Sequence, residues 1–340
     1  MRTRLALLAT TVTVGVVAAV LVVPGAQAAA DPLATVFYPN PVQTLGRQDL
    51  VDLKDADQPV LAPAYRRVPL SNLDGSGTLT GRYVVVKSKT GTPARLTGAN
   101  FPDWHRDADQ FEQVMGYYWV DTAQAYLQSL GFGSRLRPVN QRRIELRIDQ
   151  YGGDNSFFRE DKANITLGKG GVDDAEDAEV IVHEYGHSVQ DGQVAGFGTT
   201  LESGAIGEAF GDYLAVAVTS WKAGTPTLTP EACVADWDSV SYTSRTPHCL
   251  RRLDGTKVYP TDLVGEVHAD GEIWSQALYQ IRLALGPTVA DRIIVDAQFG
   301  FAPDATFAAA AAQTVATARS LYGPSQASVV QKAFADRGIL

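Results

Sequence analysis

The pentapeptide at residues 183–187, His-Glu-Tyr-Gly-His, constrains the fold of this chain more than any other feature. Histidines four residues apart lie on one face of an α-helix, one turn apart. The three residues before the first histidine, 180–182, are all apolar. The sequence therefore predicts a helix on which His183 and His187 share a face that is not freely solvated.

Two imidazoles placed in this way can bind one Zn²⁺ through their ring nitrogens. Glu184 would lie beside the metal, where a general base for a zinc-activated water belongs. The competing interpretation is a pair of surface histidines on an amphipathic helix. The chain has 5 histidines, and two of them fall in this pentapeptide, which favours the metal site.

Glu208 offers a third ligand. Two histidines and one carboxylate leave a fourth position open for water, which is the arrangement of catalytic rather than structural zinc sites. Asp212 lies one helical turn after Glu208 and could accept the free N–H of a zinc-bound histidine. The alternative for Glu208 and Asp212 is an acid pair on a helix surface, which we would favour only without the pentapeptide.

Further motifs occur in order around the histidines. Residues 155–158 read Asn-Ser-Phe-Phe, residues 164–168 Asn-Ile-Thr-Leu-Gly, residues 267–271 Val-His-Ala-Asp-Gly and residues 333–338 Ala-Phe-Ala-Asp-Arg-Gly. With these motifs the chain resembles the thermolysin-like peptidases and the related fungalysins, which are zinc peptidases with a glutamate third ligand. The resemblance extends over roughly residues 105–340, and five ordered motifs are more specific than any single one.

The resemblance implies a role for each matching catalytic residue. His183, His187 and Glu208 resemble the zinc ligands, and Glu184 resembles the general base. His268 resembles the histidine that hydrogen-bonds the oxyanion of the tetrahedral intermediate. The alternative for His268 is a histidine at a helix N-terminus without a role.

The resemblance also implies substrate contacts. Asn155 resembles the side chain that holds the substrate backbone, and Arg251 resembles the arginine that binds a substrate carbonyl, although Arg252 could replace it. Residues 164–167 resemble an edge strand against which a peptide would lie. The acid partner of His268 stays open between Asp262 and Glu266.

The order of the segments predicts an α+β fold. We expect a thermolysin-like two-lobe arrangement, with a β-rich N-terminal lobe, a helical C-terminal lobe and the zinc helix in the cleft between them. Residues 31–100 form the β-rich segment, residues 101–222 the catalytic core with both ligand-bearing helices, and residues 223–340 a disulfide-bearing loop and the helical lobe. The zinc helix should begin with Asp173 or Asp174 as its N-cap, and Pro287, Asp304 and Pro324 mark later helix starts.

Residues 1–28 are typical of a secretory signal peptide, with cleavage after Ala28 or Ala30. Arg2 and Arg4 precede an apolar run, and small residues follow it at the spacing of a cleavage site. A membrane anchor is the alternative, since the run approaches the length of a span. We expect a secreted, extracellular protein without a membrane segment in its mature form.

Two cysteines, Cys233 and Cys249, are expected to form one disulfide in an exported protein. The formal net charge of −9, which becomes more negative when the leader is removed, argues against nucleic acid as a partner. We expect a monomer that acts on peptide or protein substrates. One catalytic zinc is the expected cofactor; calcium is doubtful, because the acids of a double site are missing and only Asp177 and Glu179 remain for one ion.

The sequence therefore predicts a secreted zinc-dependent endopeptidase with Glu184 as general base and His268 as oxyanion stabiliser. Two alternatives stay open. One is a zinc aminopeptidase, which would prefer free N-termini. The other is a non-catalytic, zinc-stabilised binding protein on a peptidase scaffold. Such a protein would have no use for Glu184 and His268.

Overall fold

A computed structural model of the chain describes residues 30–88 and 90–340, of which Asp31–Leu340 form one unit. The signal peptide expected at residues 1–28 lies outside the described residues. The strands are β1 (Leu33–Phe37), β2 (Tyr65–Pro69), β3 (Val84–Val86), β4 (Ile144–Tyr151), β5 (Phe157–Arg159), β6 (Asn164–Gly168), β7 (Cys233–Val234) and β8 (Arg251–Arg252). The helices are α1 (Pro41–Leu45), α2 (Asp109–Ser129), α3 (Ala178–Gln193), α4 (Leu201–Ala223), α5 (Val267–Leu285), α6 (Pro287–Ala297), α7 (Phe307–Tyr322) and α8 (Pro324–Ala335).

Strands come first and helices dominate from α5 onward, which confirms the α+β prediction. The largest sheet has the strand order β3-β4-β6-β5, with β3, β4 and β6 parallel and β5 antiparallel to β6. Helix α2 lies between this sheet and α3, and it is buried along most of its length. In the described part of the chain, no helix is long and apolar enough to cross a bilayer.

The prediction of an edge strand at residues 164–167 is wrong. These residues belong to β6, which pairs with β4 on one side and with β5 on the other. Both of its hydrogen-bonding edges are therefore occupied by neighbouring strands. The edge of the sheet is β5, which contains the two phenylalanines of the Asn-Ser-Phe-Phe motif.

Helix α3 begins later than predicted. Neither Asp173 nor Asp174 caps it, because a single 3₁₀ turn over Asp174–Glu176 comes first. The N-cap is Asp177, whose backbone is extended and whose carboxylate accepts the N–H of Glu179 at 2.9 Å. Asp173, Asp174 and Asp177 all have the chemistry of an N-cap, so the sequence alone does not distinguish them.

Helices α3 and α4 pack unusually close because glycines face each other across their contact. A Cβ atom on Gly186 would lie 2.9 Å from the Cα of Gly211, and a Cβ on Gly211 would lie 2.6 Å from Nδ1 of His183. The glycine inside the His-Glu-Tyr-Gly-His motif therefore allows the next helix to approach the histidines. This approach brings the acids of α4 within reach of the histidines of α3.

Helices α5 to α8 form the C-terminal helical part. Pro287 and Pro324 are the first residues of α6 and α8, as predicted. The helix start predicted at Asp304 is wrong. Helix α7 begins at Phe307, with Thr306 as the N-cap that accepts the N–H of Ala309.

Candidate zinc centre and substrate cleft

The three residues predicted as zinc ligands lie together in the structure. His183 and His187 lie one turn apart on α3, and their Nε2 atoms are 3.2 Å apart. Glu208 on α4 places Oε2 at 3.2 Å from Nε2 of His183 and Oε1 at 3.6 Å from Nε2 of His187. All three side chains have ligand atoms close enough to hold one metal ion.

These separations match the edges of a tetrahedron around zinc. With zinc–ligand distances of about 2.0–2.1 Å, neighbouring ligand atoms of a regular tetrahedron lie about 3.4 Å apart. The separation between the two Nε2 atoms and that between Nε2 of His183 and Oε2 of Glu208 are both 3.2 Å, near this value, while the 3.6 Å separation from His187 involves the other oxygen of Glu208. Two imidazole nitrogens and one carboxylate are also the donors that a catalytic zinc site uses. The residues present therefore suit a zinc ion.

The hydrogen bond of His183 to Asp212 leaves its other ring nitrogen, Nε2, with a lone pair that faces the ligand cluster. Its Nδ1 lies 2.9 Å from Oδ1 of Asp212, which is buried. Burial opposes ionisation of Asp212, but Arg251 and His183 outweigh it and lower the pKa of Asp212 to about 2. An ionised carboxylate only accepts, so Nδ1 of His183 donates, and in the neutral ring Nε2 carries a lone pair.

Without a metal ion, the acids around His183 favour the protonated form of its ring. Burial lowers the pKa of His183, but hydrogen bonds to Asp212 and Glu208 outweigh it and raise the pKa to about 10. Burial lowers the pKa of His187 to about 4. For Glu208, burial raises the pKa, but His187 and His183 outweigh it and lower the pKa strongly. The cluster therefore stabilises a positive charge at its centre, which a divalent cation supplies.

Arg251 binds Asp212 from the side opposite His183. Its Nε lies 2.6 Å from Oδ2 and its Nη2 lies 2.7 Å from Oδ1 of that carboxylate. Arg251 lies on β8 and also lines the cleft. The structure thus gives this arginine a contact with the acid behind the ligand histidine, while its expected contact with a substrate carbonyl stays a prediction.

Glu184 lies next to the ligand cluster and is buried. Its Oε2 has no hydrogen-bond partner among the described residues, although it lies where solvent does not reach. Burial raises the pKa of Glu184 to about 7; His183 opposes the shift and Glu208 adds to it. A buried carboxylate with a free oxygen in the cleft can accept and return a proton.

His268, the second residue of α5, is about half exposed. Its Nε2 lies 3.2 Å from Oε2 of Glu208, which brings it to the rim of the ligand cluster. Its Nδ1 lies 2.6 Å from Oε1 of Glu266, the N-cap of α5. Of the two acids left open from the sequence, Glu266 is therefore the partner of His268; Asp262 accepts the backbone N–H of Val258 instead.

The ligand cluster opens into a cleft with a volume of about 390 Å³. Asn155 is exposed at this cleft, just before edge strand β5. Phe157 and Phe158 of β5 also line it. The structure therefore places Asn155 on the same cleft as Glu184, Arg251 and His268, as its expected role requires.

The acids left open for one calcium ion are hydrogen-bonded within the protein. Asp177 accepts the backbone N–H groups of Glu179, Trp237 and Asp238. Glu179 accepts the backbone N–H of Ala235 at 2.7 Å. A calcium ion here stays a prediction.

Cys233 and Cys249 form the disulfide that the sequence predicted, with a Cα–Cα distance of 5.1 Å. Cys233 belongs to β7, which pairs with β8 and hence with the strand of Arg251. The bridge closes a loop that carries Asp238 and Tyr242, and both of these residues line the cleft.

Two acidic residues of the cleft were not singled out from the sequence. Asp174 and Asp238 line it beside Glu184, and both are buried. Asp174 had been considered only as an N-cap. Acids in loops are common, and no spacing in the sequence relates Asp238 to the zinc motif, so only the fold reveals their position.

Comparison with known proteins agrees with this geometry. Residues 195–339 match the family model described as "Thermolysin metallopeptidase, alpha-helical domain". This matched part of the chain is similar to the helical domain of thermolysin-type metallopeptidases. The matched residues include Glu208, Asp212 and His268, whereas the histidine pentapeptide lies just upstream of the match.

Two individual proteins are similar to this chain. The extracellular metalloproteinase mep of Aspergillus niger is 31% identical over 120 residues, which cover 31% of this chain and 18% of that protein. The chain therefore aligns with less than a fifth of the fungal relative. The solved structure of a precursor of protealysin, a metalloproteinase from Serratia proteamaculans, matches with a TM-score of 0.54 and 18% identity. That match covers 90% of this chain and 99% of the other, and it shows a shared fold.

Proposed function

We propose that this chain is a secreted zinc-dependent endopeptidase. The observation that carries the proposal is the convergence of His183, His187 and Glu208 beside Glu184, a buried carboxylate that lines the cleft. Three ligands leave a position open for water or substrate, as catalytic zinc sites do. The thermolysin-type helical domain and the relation to an extracellular metalloproteinase support the same reaction class.

Zinc, when bound, supplies a Lewis acid that polarises a carbonyl group and makes water a better nucleophile near neutral pH. Glu184 takes a proton from the attacking water as a general base. It then delivers that proton to the amine that leaves the cleaved peptide bond. Its burial keeps bulk water away from the proton during both transfers.

His268 stabilises the negative charge that develops on the carbonyl oxygen. Its Nε2 lies on the rim of the ligand cluster, and the Glu266 carboxylate at Nδ1 orients the ring. A single oxyanion donor is worth about 2.7–4 kcal/mol of the activation barrier.

The substrate lies along β5 rather than β6. Strand β5 is the free edge of the sheet at the cleft, so an extended peptide can add to it through backbone hydrogen bonds. Asn155 holds the substrate backbone next to this edge. Arg251 approaches the substrate carbonyl while Asp212 fixes its guanidinium in place.

The decisive experiment is mass-spectrometric mapping of products from peptides blocked at both ends. The wild-type protein should cut them internally, lose activity in a zinc chelator and regain it when zinc is added back. Glu184→Gln is the matched control, because it should retain zinc and lose turnover by about 10²–10⁴-fold.

Each alternative gives a different result in this experiment. Cleavage restricted to peptides with a free N-terminus would favour an aminopeptidase. No cleavage by a zinc-loaded, correctly processed sample would favour a zinc-stabilised binding protein. Equal activity of wild type and Glu184→Gln would exclude the proposed mechanism.

A further inference from the structure

Three acids that the zinc chemistry does not use lie together, and two of them, Asp174 and Asp238, line the cleft. Asp154, Asp174 and Asp238 place one carboxylate oxygen each within 4.8 Å of the others. They come from three separate segments: the turn before β5, the 3₁₀ turn before α3 and the disulfide loop. We call this cluster the acidic pocket.

Two oxygens of the acidic pocket lack partners. Asp174 and Asp238 are only 2% and 3% exposed, and both line the cleft. Oδ1 of Asp174 and Oδ1 of Asp238 have no hydrogen-bond partner among the described residues. A buried carboxylate oxygen without a donor is costly, so these two atoms indicate a place where a hydrogen-bond donor can bind.

The other contacts of the acidic pocket hold it in shape. The Ser156 hydroxyl donates to Oδ2 of Asp174, and the Tyr242 hydroxyl donates to Oδ1 of Asp154 at 2.6 Å. These bonds fix two of the carboxylates and leave the unpaired oxygens free. Burial is the largest cause that raises the pKa of Asp174 to about 7, and the nearby charge of Asp154 adds to it. Negative charge is thus crowded here when the pocket holds no cation.

The positive charge nearest to the acidic pocket is already engaged. Arg251 lines the same cleft and lies close enough to Asp238 to oppose the rise in its pKa. Its guanidinium is held by both oxygens of Asp212. It therefore does not supply the donor that Asp174 and Asp238 lack.

The acidic pocket lies on the Glu184 side of the cleft. Asp174 and Asp238 line the same cleft as Glu184, and Val180, one turn before Glu184 on α3, lines it as well. Glu184 protonates the leaving amine in the proposed reaction. The residue that contributes this amine therefore lies next to Glu184, in the cleft that Asp174 and Asp238 also line.

We propose that the acidic pocket binds the lysine or arginine side chain of the substrate residue immediately after the scissile bond. This inference rests on the proposed endopeptidase function and adds a substrate specificity to it. An ammonium or guanidinium group entering from the cleft can donate hydrogen bonds to the free oxygens of Asp174 and Asp238. The enzyme would then cleave on the N-terminal side of basic residues.

A substrate side chain suits the acidic pocket better than a divalent cation does. Calcium takes six to eight oxygen ligands. The acidic pocket offers three carboxylates, and hydroxyl groups already occupy oxygens of two of them. The pocket is also continuous with the cleft in which the peptide must lie.

The test compares blocked peptides that differ only after the scissile bond. Lysine is paired with norleucine, and arginine with citrulline, so that each pair differs mainly in charge. For the wild type, kcat/KM should be at least about tenfold higher for the charged member of each pair. Asp238→Asn should reduce this ratio at least about tenfold and leave cleavage of the norleucine peptide in place, which also shows that the variant is folded.

The matched control is Asp161→Asn, which removes an exposed carboxylate of the neighbouring chain segment outside the acidic pocket. It should keep the wild-type ratio. If wild type cleaves the charged and neutral peptides equally well, the inference is overturned while the endopeptidase proposal stands. A calcium site that is lost in Asp238→Asn, together with loss of the lysine preference when calcium is bound, would also overturn it.

If no peptide is cleaved at all, the proposed function fails, and the acidic pocket is tested by calorimetry. Acetyl-lysine amide should bind the wild type more tightly than acetyl-norleucine amide does, and Asp238→Asn should remove the difference. Equal affinities for the two amides would overturn the inference.

Discussion

Arg251 and Asp212 form a two-point ion pair directly behind the zinc-ligand candidate His183. The two contacts are 2.6 and 2.7 Å long, and Oδ1 of the same carboxylate accepts Nδ1–H of the histidine at 2.9 Å. Arg251 thus keeps Asp212 ionised, and ionised Asp212 fixes the tautomer of His183. The pair links the strand at the cleft wall to the metal centre.

Asp212→Asn should therefore weaken zinc binding. The amide cannot hold both Arg251 and His183 as a carboxylate does, and loss of such a supporting acid typically lowers metal affinity 10–100-fold. Competition with a chromophoric chelator measures the dissociation constant. Asp304→Asn, an exposed acid in the loop before α7, is the control and should leave the constant unchanged. Wild-type affinity in Asp212→Asn would show that the ion pair does not support the site.

The close approach of α3 and α4 gives a second prediction. In Gly211→Ala the new methyl group would lie 2.6 Å from Nδ1 of His183, where the hydrogen bond to Asp212 runs. The ring or the helix must move, so we expect weaker zinc binding and a loss of about 1–3 kcal/mol in the free energy of unfolding. Chemical denaturation and the chelator assay measure both.

Gly207→Ala on the same helix is the matched control. Its methyl group would lie 3.1 Å from Oε1 at the end of the Gln190 side chain and 4.0 Å from Nδ1 of His187, which is an ordinary contact distance. Because alanine favours a helix over glycine by up to about 1 kcal/mol, this variant should be as stable as wild type or more stable. Equal behaviour of the two variants would contradict the assigned role of Gly211.

The sequence predicted the parts of the site that depend on helical spacing. Four residues separate His183 from His187, and four separate Glu208 from Asp212, so each pair shares a helix face whatever the rest of the fold does. The rest could not be predicted because it depends on tertiary contacts. That β6 is an inner strand follows from its pairing with β5, and that Asp238 lies near Glu184 follows from the path of a loop. No periodicity in the sequence indicates either relationship.

Buried acids make the stability of the fold depend on pH. Burial is the largest cause that raises the pKa of Asp173 to about 9, with Asp55, Asp149 and Glu176 adding to it and Arg106 opposing it. The folded state therefore holds a proton that the unfolded state releases above about pH 4. The contribution of Asp173 to the free energy of unfolding is complete below that pH. It is lost as the pH rises toward 9, by up to about 1.4 kcal/mol per pH unit.

Asp173→Asn tests this dependence. Urea unfolding at pH 5, 6.5 and 8 should show a free energy of unfolding that falls with pH less steeply in the variant than in the wild type. The comparison is made at equal zinc content, so that titration of the ligand residues affects both proteins alike. Parallel slopes for the two proteins would show that Asp173 ionises normally in the folded state.

The disulfide connects stability to the cleft. Cys233 and Cys249 are 16 residues apart, and in the chain-entropy model closing a loop of this length contributes about 3 kcal/mol. The double variant Cys233→Ala, Cys249→Ala should therefore lose about that much free energy of unfolding, measured by urea denaturation. Wild type treated with a reductant should approach the variant, while the variant itself should not respond to the reductant. Because the closed loop carries Asp238 and leads into the strand of Arg251, the variant should lose its preference for basic residues before it loses zinc. A variant as stable and as selective as wild type would show that strand pairing alone holds the loop.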